Sequence, residues 1–456
     1  MTDRNTIAAI STPMGTGGVG IIRISGEKAI ETADKVFSAF SGKKLSDSEG
    51  YRAHYGRVFE NGTAVDEAIC LVFRAPHSYT GENVVEINCH GGIFITQKIL
   101  RLVLDNGASP ALPGEFTKRA FLNGKLDLSK AESVMTLISA QGEQGANAAY
   151  NLLEGSLSRK IENINSDLLT AAAHIAAWTD YPDDEIMEVN PDELKKTLQN
   201  CNAEIKKLID KFDSGMAVTT GVDAAIVGKP NVGKSTLMNL LTGYDRSIVT
   251  SVAGTTRDVV EETVNLGGCI LRLSDTAGMR ETGDEVEKIG VDRSRIKLER
   301  SAVIFAVFDI SRNLSDEDME LIKLCKGKNV IPVINKTDLE HVADISVLEH
   351  CLGKCVAISA KDGSGYDELC ETVVSLVGTK DFDTTAAMLA NERQLLCCKK
   401  ACESLNEAIE AIDIGLTLDA TGVCIDSAVS SLLELTGEKA SEAVVNKIFE
   451  KFCVGK

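Results

Sequence analysis

One stretch restricts the fold of this chain more than any other: Gly228-Lys229-Pro230-Asn231-Val232-Gly233-Lys234-Ser235. It has the form G-x-x-x-x-G-K-[ST], a loop whose successive backbone N–H groups wrap phosphate oxygens. The form carries meaning only between a strand and a helix. Here the apolar run Val222 to Val227 precedes it, and Thr236 to Leu241 follows as a helix. Gly228 and Gly233 allow close backbone approach, and Lys234 neutralises β- and γ-phosphate charge. The Ser235 hydroxyl is a hard oxygen ligand for Mg²⁺.

Further motifs follow at strand ends. Asp275-Thr276-Ala277-Gly278 comes after the strand-like run Cys269 to Ser274. Its Asp can hold Mg²⁺ directly or through water, and the Gly278 N–H can meet the γ-phosphate. Asn335-Lys336-Thr337-Asp338 ends the apolar run Val330 to Ile334. The Asp338 carboxylate can accept from N1–H and the 2-amino group of guanine, a donor pair that adenine lacks. Asn335 can hold neighbouring loops, and the Lys336 stem can lie along the base. Ser359-Ala360-Lys361 follows Cys355 to Ile358 and offers a backbone N–H to guanine O6. Gly254-Thr255-Thr256-Arg257-Asp258 occupies the place of a first switch, with Thr256 as the second hydroxyl for Mg²⁺. Together these spacings predict GTP binding. A water-positioning Gln after D-T-A-G is missing, because that position is Met279. The acids of Arg280-Glu281-Thr282-Gly283-Asp284-Glu285-Val286-Glu287 are candidates to replace it, and nothing local selects among them.

At 456 residues the chain is long enough for about three domains. The net charge of −19 argues against nonspecific nucleic-acid binding over the whole surface. Residues 1–120 hold 13 Lys+Arg and 13 Asp+Glu, so the acidic excess lies later. No apolar run reaches the length of a membrane span, and the polar start lacks a signal-peptide core. The 13 cysteines are odd in number and form no C-x-x-C pair, which predicts reduced cytosolic thiols and no zinc site.

Residues 1 to about 118 read as a mixed α/β unit. Thr6 to Ser11 and Gly20 to Ser25 are strand-like runs around Gly15-Thr16-Gly17-Gly18-Val19-Gly20. That loop matches G-x-G-x-x-G, but the dinucleotide fingerprint must open a helix, and here a strand follows. A β-hairpin is expected instead. Glu27 to Phe40 reads as a helix, Val65 to Phe73 and Val84 to Asn88 as strands, Cys89 to Gly92 as a turn, and Ile93 to Asp105 as a helix. Arg23, Glu82 and His90 are candidate ligand residues. Spacing alone reads them as a paired strand Arg, a turn Glu and a capping His.

From Phe116 to Asp213 the pattern is helical, with Leu152, Leu153, Leu157, Ile161, Ile164 and Leu168 on one helical period. Ser129 is a plausible N-cap with Glu132 three residues on. The acidic run Asp180 to Glu185 reads as an exposed break between helices. Residues 216–378 alternate strand and helix, and helices resume afterwards, with Asn391 to Ile412 as one long element. The simplest architecture is an α/β GTPase domain inserted into an all-α domain.

The motifs taken together resemble the tRNA-modification GTPase family MnmE, also called TrmE. Outside the nucleotide motifs, the resemblance rests on Gly20-Ile21-Ile22-Arg23-Ile24-Ser25-Gly26, Ser78-Tyr79-Thr80-Gly81-Glu82-Asn83, His90-Gly91-Gly92, Ala120 to Leu128, and Phe452-Cys453-Val454-Gly455-Lys456. It implies an α+β tetrahydrofolate-binding domain at 1–118 that also dimerises. It further implies helical segments at 119–215 and 379–456 around a GTPase domain at 216–378. The matching folate contacts are Arg23, Glu82, Lys125 and Lys456. The nucleotide set extends to Asn231-Val232-Gly233-Lys234-Ser235-Thr236 and Thr250-Ser251-Val252-Ala253-Gly254-Thr255-Thr256. Asn231, Thr250, Val252 and Thr255 match a K⁺ site, and Glu287 matches the residue that positions the catalytic water.

The resemblance also implies a cytoplasmic homodimer that joins an FAD-binding MnmG (GidA)-type protein in a heterotetramer. The pair acts on tRNA, adding an aminomethyl or carboxymethylaminomethyl group to C5 of the wobble uridine. Cys453 is a possible nucleophile or a tail residue of the folate pocket. The C-a-a-X form of Cys453-Val454-Gly455-Lys456 is discounted because its last position is Lys. Two other readings share the nucleotide motifs: an Era-type ribosome-assembly GTPase, and a GTP switch without tRNA chemistry of its own. The first needs a basic RNA-binding appendage, which the acidic helical flanks do not supply.

Overall fold

The computed structural model describes residues 5–180, 187–244, 261–274, 301–380 and 382–456. The chain divides into two compact units. One comprises Met1–Met135, Ile161–Leu198 and Glu403–Lys456, and the other Thr136–Lys160 and Gln199–Cys402.

The first unit is built on strands β1 (Ile7–Ile10), β2 (Val19–Ser25), β3 (Phe37–Ala39), β4 (Arg52–Glu60), β5 (Thr63–Phe73), β6 (Val84–His90) and β7 (Ser109–Pro110). Their order is β3-β4-β5-β6-β2-β1-β7, antiparallel except for β1 with β7. β1 and β2 form the expected hairpin, with Ala9 opposite Arg23. Strand alternation then sorts the side chains. Ile22 and Ile24 face helices α1 (Ala29–Val36) and α2 (Ile93–Asp105), within one core with Ala33, Ile87, Ile99 and Val103. Arg23 takes the opposite face, where Ile7 and Ala9 pack on Phe116 of α3 (Glu115–Leu122).

The sequence reading is corrected at several places in this unit. The helix expected over Glu27 to Phe40 stops at Val36, because Phe37–Ala39 pairs with β4, a strand the periodicity did not reveal. The turn expected at Cys89 to Gly92 starts later, since Cys89 and His90 still pair with Gly20 and Val19. His90 is therefore no cap: its Nδ1 lies 2.6 Å from Asp66 Oδ1 at the end of β6. In α4 (Leu128–Ser139) the cap is Asp127, whose Oδ1 accepts from Lys130 N at 2.9 Å. Ser129 lies inside the helix, with a buried hydroxyl that finds no partner.

The helical segments continue as α5 (Glu143–Leu153), α6 (Ser156–Asp180), α7 (Pro191–Asp210) and α8 (Phe212–Thr220). The period from Leu152 to Leu168 is thus interrupted: Gly155, at φ +87°, separates α5 from α6. The core of the second unit is an α/β sheet of β8 (Val222–Val227), β9 (Glu261–Leu266), β10 (Cys269–Ser274), β11 (Val303–Asp309), β12 (Val330–Asn335) and β13 (Val356–Ile358). The order is β13-β12-β11-β8-β10-β9, parallel except for β9. Helices α9 (Lys234–Tyr244) and α12 (Tyr366–Val377) cover one face through Leu237, Leu241, Leu369 and Val373. The other face is covered by α10 (Asp316–Cys325) and α11 (Ser346–Leu352), through Ile322, Cys325 and Leu348. Burial on both faces explains why these strands read as continuous apolar runs. The chain then forms α13 (Glu392–Asp413), α14 (Leu418–Thr436) and α15 (Glu442–Phe449).

No helix among the described residues is long and apolar enough to cross a membrane. None of the thirteen cysteines, all among the described residues, forms a disulfide, and eight are buried. Burial pushes the Cys398 thiol up to about 12, which keeps it protonated and unreactive.

Candidate functional site

The parallel strands β8, β11, β12 and β13 deliver four connections to one edge of the second sheet, where doubly wound folds place their ligands. The loop after β8 is shaped by its glycines. Gly228 has φ +152°, and a Cβ there would lie 2.5 Å from Val307 O. Gly233 has φ +97°, and a Cβ would lie 2.2 Å from Asn335 Nδ2. Between them Asn231 adopts φ +64° with its side chain exposed, a conformation Asn tolerates better than most residues. Lys234 Nζ donates to Gly228 O at 2.7 Å and to Lys229 O at 2.6 Å, so the loop encircles its own lysine. Burial lowers the Lys234 pKa from its ordinary value. Ser235 and Thr236 open α9 with exposed side chains.

Asn335 joins three loops. It is 2% exposed. Its Nδ2 donates to Val232 O at 2.8 Å, and its Oδ1 accepts from Ala360 N at 3.0 Å. The sequence reading gave Asn335 this loop-holding role, and the geometry agrees. Ser359 Oγ donates to Asp338 Oδ1 at 3.2 Å, which steadies an otherwise exposed carboxylate. Lys336, at φ +68°, places Nζ 2.6 Å from Asp309 Oδ2. Lys361 is exposed beside Ala360. Phosphate and base loops are therefore one connected structure, suited to a nucleotide with guanine at one end. Thr250, Ser251, Val252, Ala253, Gly254, Thr255, Thr256, Asp275, Thr276, Ala277, Gly278, Met279 and Glu287 lie outside the described residues. Motif reading missed Asp309 and Asp318. Their signal was available: Asp309 ends the apolar strand β11, and Asp318 stands three residues after Ser315, with which it forms a capping box at the start of α10.

A second polar site lies in the first unit. Arg23 Nε is 2.8 Å from Glu86 Oε1, directly across the β2–β6 pair. Its guanidinium lies 5.4 Å from the Tyr79 ring centroid and 5.6 Å from that of Phe116. Arg23 NH1 also donates to Gly455 O at 3.2 Å, as does Ser11 Oγ at 3.1 Å. Backbone bonds from Gly114 N to Cys453 O and from Phe116 N to Lys456 O seat residues 453–456 here. Lys456 is held below its usual pKa, first by burial and then by Arg23, against the pull of Glu86 and Cys453.

Glu82 accepts from Ser25 Oγ at 2.8 Å and from Arg119 NH1 at 3.1 Å. Lys125 lies over the Gly81 turn, with Nζ 3.3 Å from Pro76 O. Arg23 and Lys456 thus share one surface, while Glu82 and Lys125 flank a neighbouring turn. Cys453 is exposed. A cavity of about 630 Å³ opens beside Glu82, lined by Lys118, Arg119, Asn123, Asn446 and Phe449. Spacing alone read Arg23 as a paired strand residue, and the Glu86 contact agrees. That it also holds residue 455 has no local sequence signal.

Two family models match the chain: the GTP-binding protein TrmE N-terminus over residues 6–125, and the MnmE helical domain over residues 128–453. The tRNA modification GTPase MnmE of Alkaliphilus metalliredigens is 42% identical over 99% of both chains. Proteins of the same name from Geobacillus thermodenitrificans and Acetivibrio thermocellus are each 41% identical over the full length of both chains. With both models matched and relatives aligned from end to end, this chain belongs to the MnmE (TrmE) family of tRNA modification GTPases.

Proposed function

We propose that this chain hydrolyses GTP, with K⁺ activation, to drive or time the modification of a wobble uridine in tRNA. The observation that carries the GTPase reading is the buried Asn335 amide, which binds the phosphate loop to the loop that presents Asp338. Full-length likeness to proteins named for tRNA modification supports the wider role.

In this reading Ser235 and Thr256 hold Mg²⁺, and Asp275 and Gly278 meet the metal and the γ-phosphate. Asn231, Thr250, Val252 and Thr255 hold K⁺. The exposed Asn231 side chain on the loop crest supplies the kind of hard oxygen that K⁺ accepts. A fixed cation near the β–γ bridge stabilises charge as an arginine finger does, an effect worth ~10³–10⁵-fold in rate for the finger. Glu287 orients the attacking water in place of the residue that Met279 cannot be.

Arg23, Glu82, Lys125 and Lys456 hold a one-carbon tetrahydrofolate. The Arg23 guanidinium beside two aromatic rings, with Lys456 near enough to feel its charge and the anchored Glu82 carboxylate on the neighbouring turn, suits a flat ligand that bears both carboxylates and ring N–H donors. The folate supplies the carbon, and an FAD-binding MnmG-type partner completes a heterotetramer with the homodimer in the cytoplasm. The domain order is an N-terminal folate and dimerisation domain at 1–118, helical parts at 119–215 and 379–456, and the GTPase domain at 216–378.

Mass spectrometry of tRNA nucleosides from cells lacking this gene tests the function; unmodified wobble uridines are expected, and a normal nucleoside profile rejects it. KCl is expected to accelerate GTP hydrolysis strongly over NaCl, and equal rates in the two salts reject the cation mechanism.

A further inference from the structure

The phosphate loop leaves β8 and the guanine loop leaves β12, and β11 lies between these strands in the sheet. All three run parallel, so the β11–α10 connection leaves the same edge between the two loops. Two acids at its ends, one closing β11 and one in the first turn of α10, are buried, Asp309 at 7% exposure and Asp318 at 4%. Carboxylates are almost never buried so far without a partner. Each of these takes the ammonium group of a different loop.

Asp309 Oδ2 lies 2.6 Å from Lys336 Nζ, while its Oδ1 accepts from Ser311 N at 3.0 Å and from the Ser311 hydroxyl at 2.6 Å. Burial pushes the Asp309 carboxyl up, but Lys336 and Ser311 outweigh it and hold the group below its ordinary value. Asp318 Oδ2 lies 2.8 Å from Lys229 Nζ and accepts from Ser315 N at 3.0 Å and Ser315 Oγ at 3.2 Å. The Lys229 side chain is only 12% exposed, although it fills a variable position of the phosphate-loop motif. Its own carbonyl accepts from Lys234 Nζ. One residue therefore ties α10 through its side chain to the phosphate-binding lysine through its backbone.

We propose that the segment Asp309–Asp318 is a clamp that fixes the phosphate and guanine loops relative to each other, with Lys229 as a positioning residue for GTP hydrolysis. The Lys229–Asp318 pair sets the height of the phosphate loop and the Asp309–Lys336 pair sets the base loop. Losing the first should slow turnover at saturating GTP, and losing the second should loosen the bound base.

The test compares steady-state hydrolysis and mant-GDP release in the full chain and its variants, in KCl buffer. Lys229→Met is expected to lower kcat about tenfold with KM within about threefold, and Lys229→Arg to recover most of the loss. Asp309→Asn is expected to speed mant-GDP release about tenfold, and release at the wild-type rate overturns the base-loop half of the clamp. The double variant Lys229→Met/Asp318→Asn should be no slower than Lys229→Met alone, because both changes break one contact. Wild-type kcat in Lys229→Met, no recovery by Lys229→Arg in a variant of unchanged Tm, or additive losses in the double variant would overturn the clamp. A wild-type chain that binds no mant-GDP overturns the nucleotide reading and the clamp together.

Discussion

The nucleotide site and the Arg23 site are built on opposite plans. The first gathers loops from the ends of adjacent parallel strands and shapes them mainly with backbone. Its longest link, Asn335 to Val232, spans 103 positions, and its other Asn335 bond spans 25. The second gathers side chains from a strand, a turn and a helix, and closes on residues 453–456; Ser11 and Gly455 are 444 positions apart. A site made of loop backbone prints a contiguous motif in the sequence, because glycine and small polar residues are required at fixed offsets. A site made of scattered side chains prints isolated charges that look like ordinary ion pairs. The comparison teaches where motif reading is strong and where only likeness to relatives can supply the answer.

Variants that strike one site and spare the other test this contrast. The largest effect is expected at Asp338. On the proposed reading Asp338→Asn replaces an acceptor for two guanine donors, each worth about 1.5–3 kcal/mol when charge-assisted, so guanine-nucleotide affinity should fall at least about a hundredfold in a mant-GDP titration. Asn335→Ala comes next. It orphans Val232 O and Ala360 N, and at about 1–3 kcal/mol for each buried group, urea unfolding of the second unit should show a loss of about 2–5 kcal/mol.

Arg23→Ala should weaken binding of a reduced folate about ten- to a hundredfold by equilibrium dialysis, with GTP hydrolysis unchanged. A parallel fall in hydrolysis would show that the two sites are not separable. The smallest effect concerns Lys456. Its folded pKa is depressed, so the unfolded chain holds this proton more tightly. The penalty is complete below the folded pKa and vanishes as pH rises through it toward the ordinary value of 10.5. Lys456→Met should therefore raise Tm slightly at pH 7 and flatten its rise as pH climbs toward 10.5, read by scanning calorimetry. A variant whose Tm tracks wild type across that range removes the argument.

The same physics explains which elements were legible. Val222–Val227 and Cys269–Ser274 were read with their observed bounds, because strands covered on both faces or strongly apolar need no alternation to stand out. α2 was likewise read as observed, from its apolar spacing. β4 was missed because only Gly56 and Val58 in it are buried, too few to form a period. That omission caused the next error, since the strand at Phe37–Ala39 exists only by pairing with β4. At α4 the expected cap Ser129 enters the helix, because Asp127, two positions earlier and not read as a cap, takes the Lys130 N–H. In the nucleotide site, Asn335 and the glycines were legible from their motif. Lys229 was not, because its partner Asp318 is 89 positions away and no spacing in the sequence joins the two.

The seating of residues 453–456 has a consequence for how the protein matures. Contacts between distant positions must bear the entropy of closing long loops, so they form after local ones. The nucleotide loops connect within residues 228–361, whereas Arg23 meets Gly455 across 432 positions. During synthesis from the N-terminus, β2 and β6 can pair long before residue 455 exists, and the nucleotide sheet can close before it as well. The Arg23 cluster is then the late step of assembly. A chain interrupted before residue 453 would carry its nucleotide loops already connected while the Arg23 site still lacked its last residues.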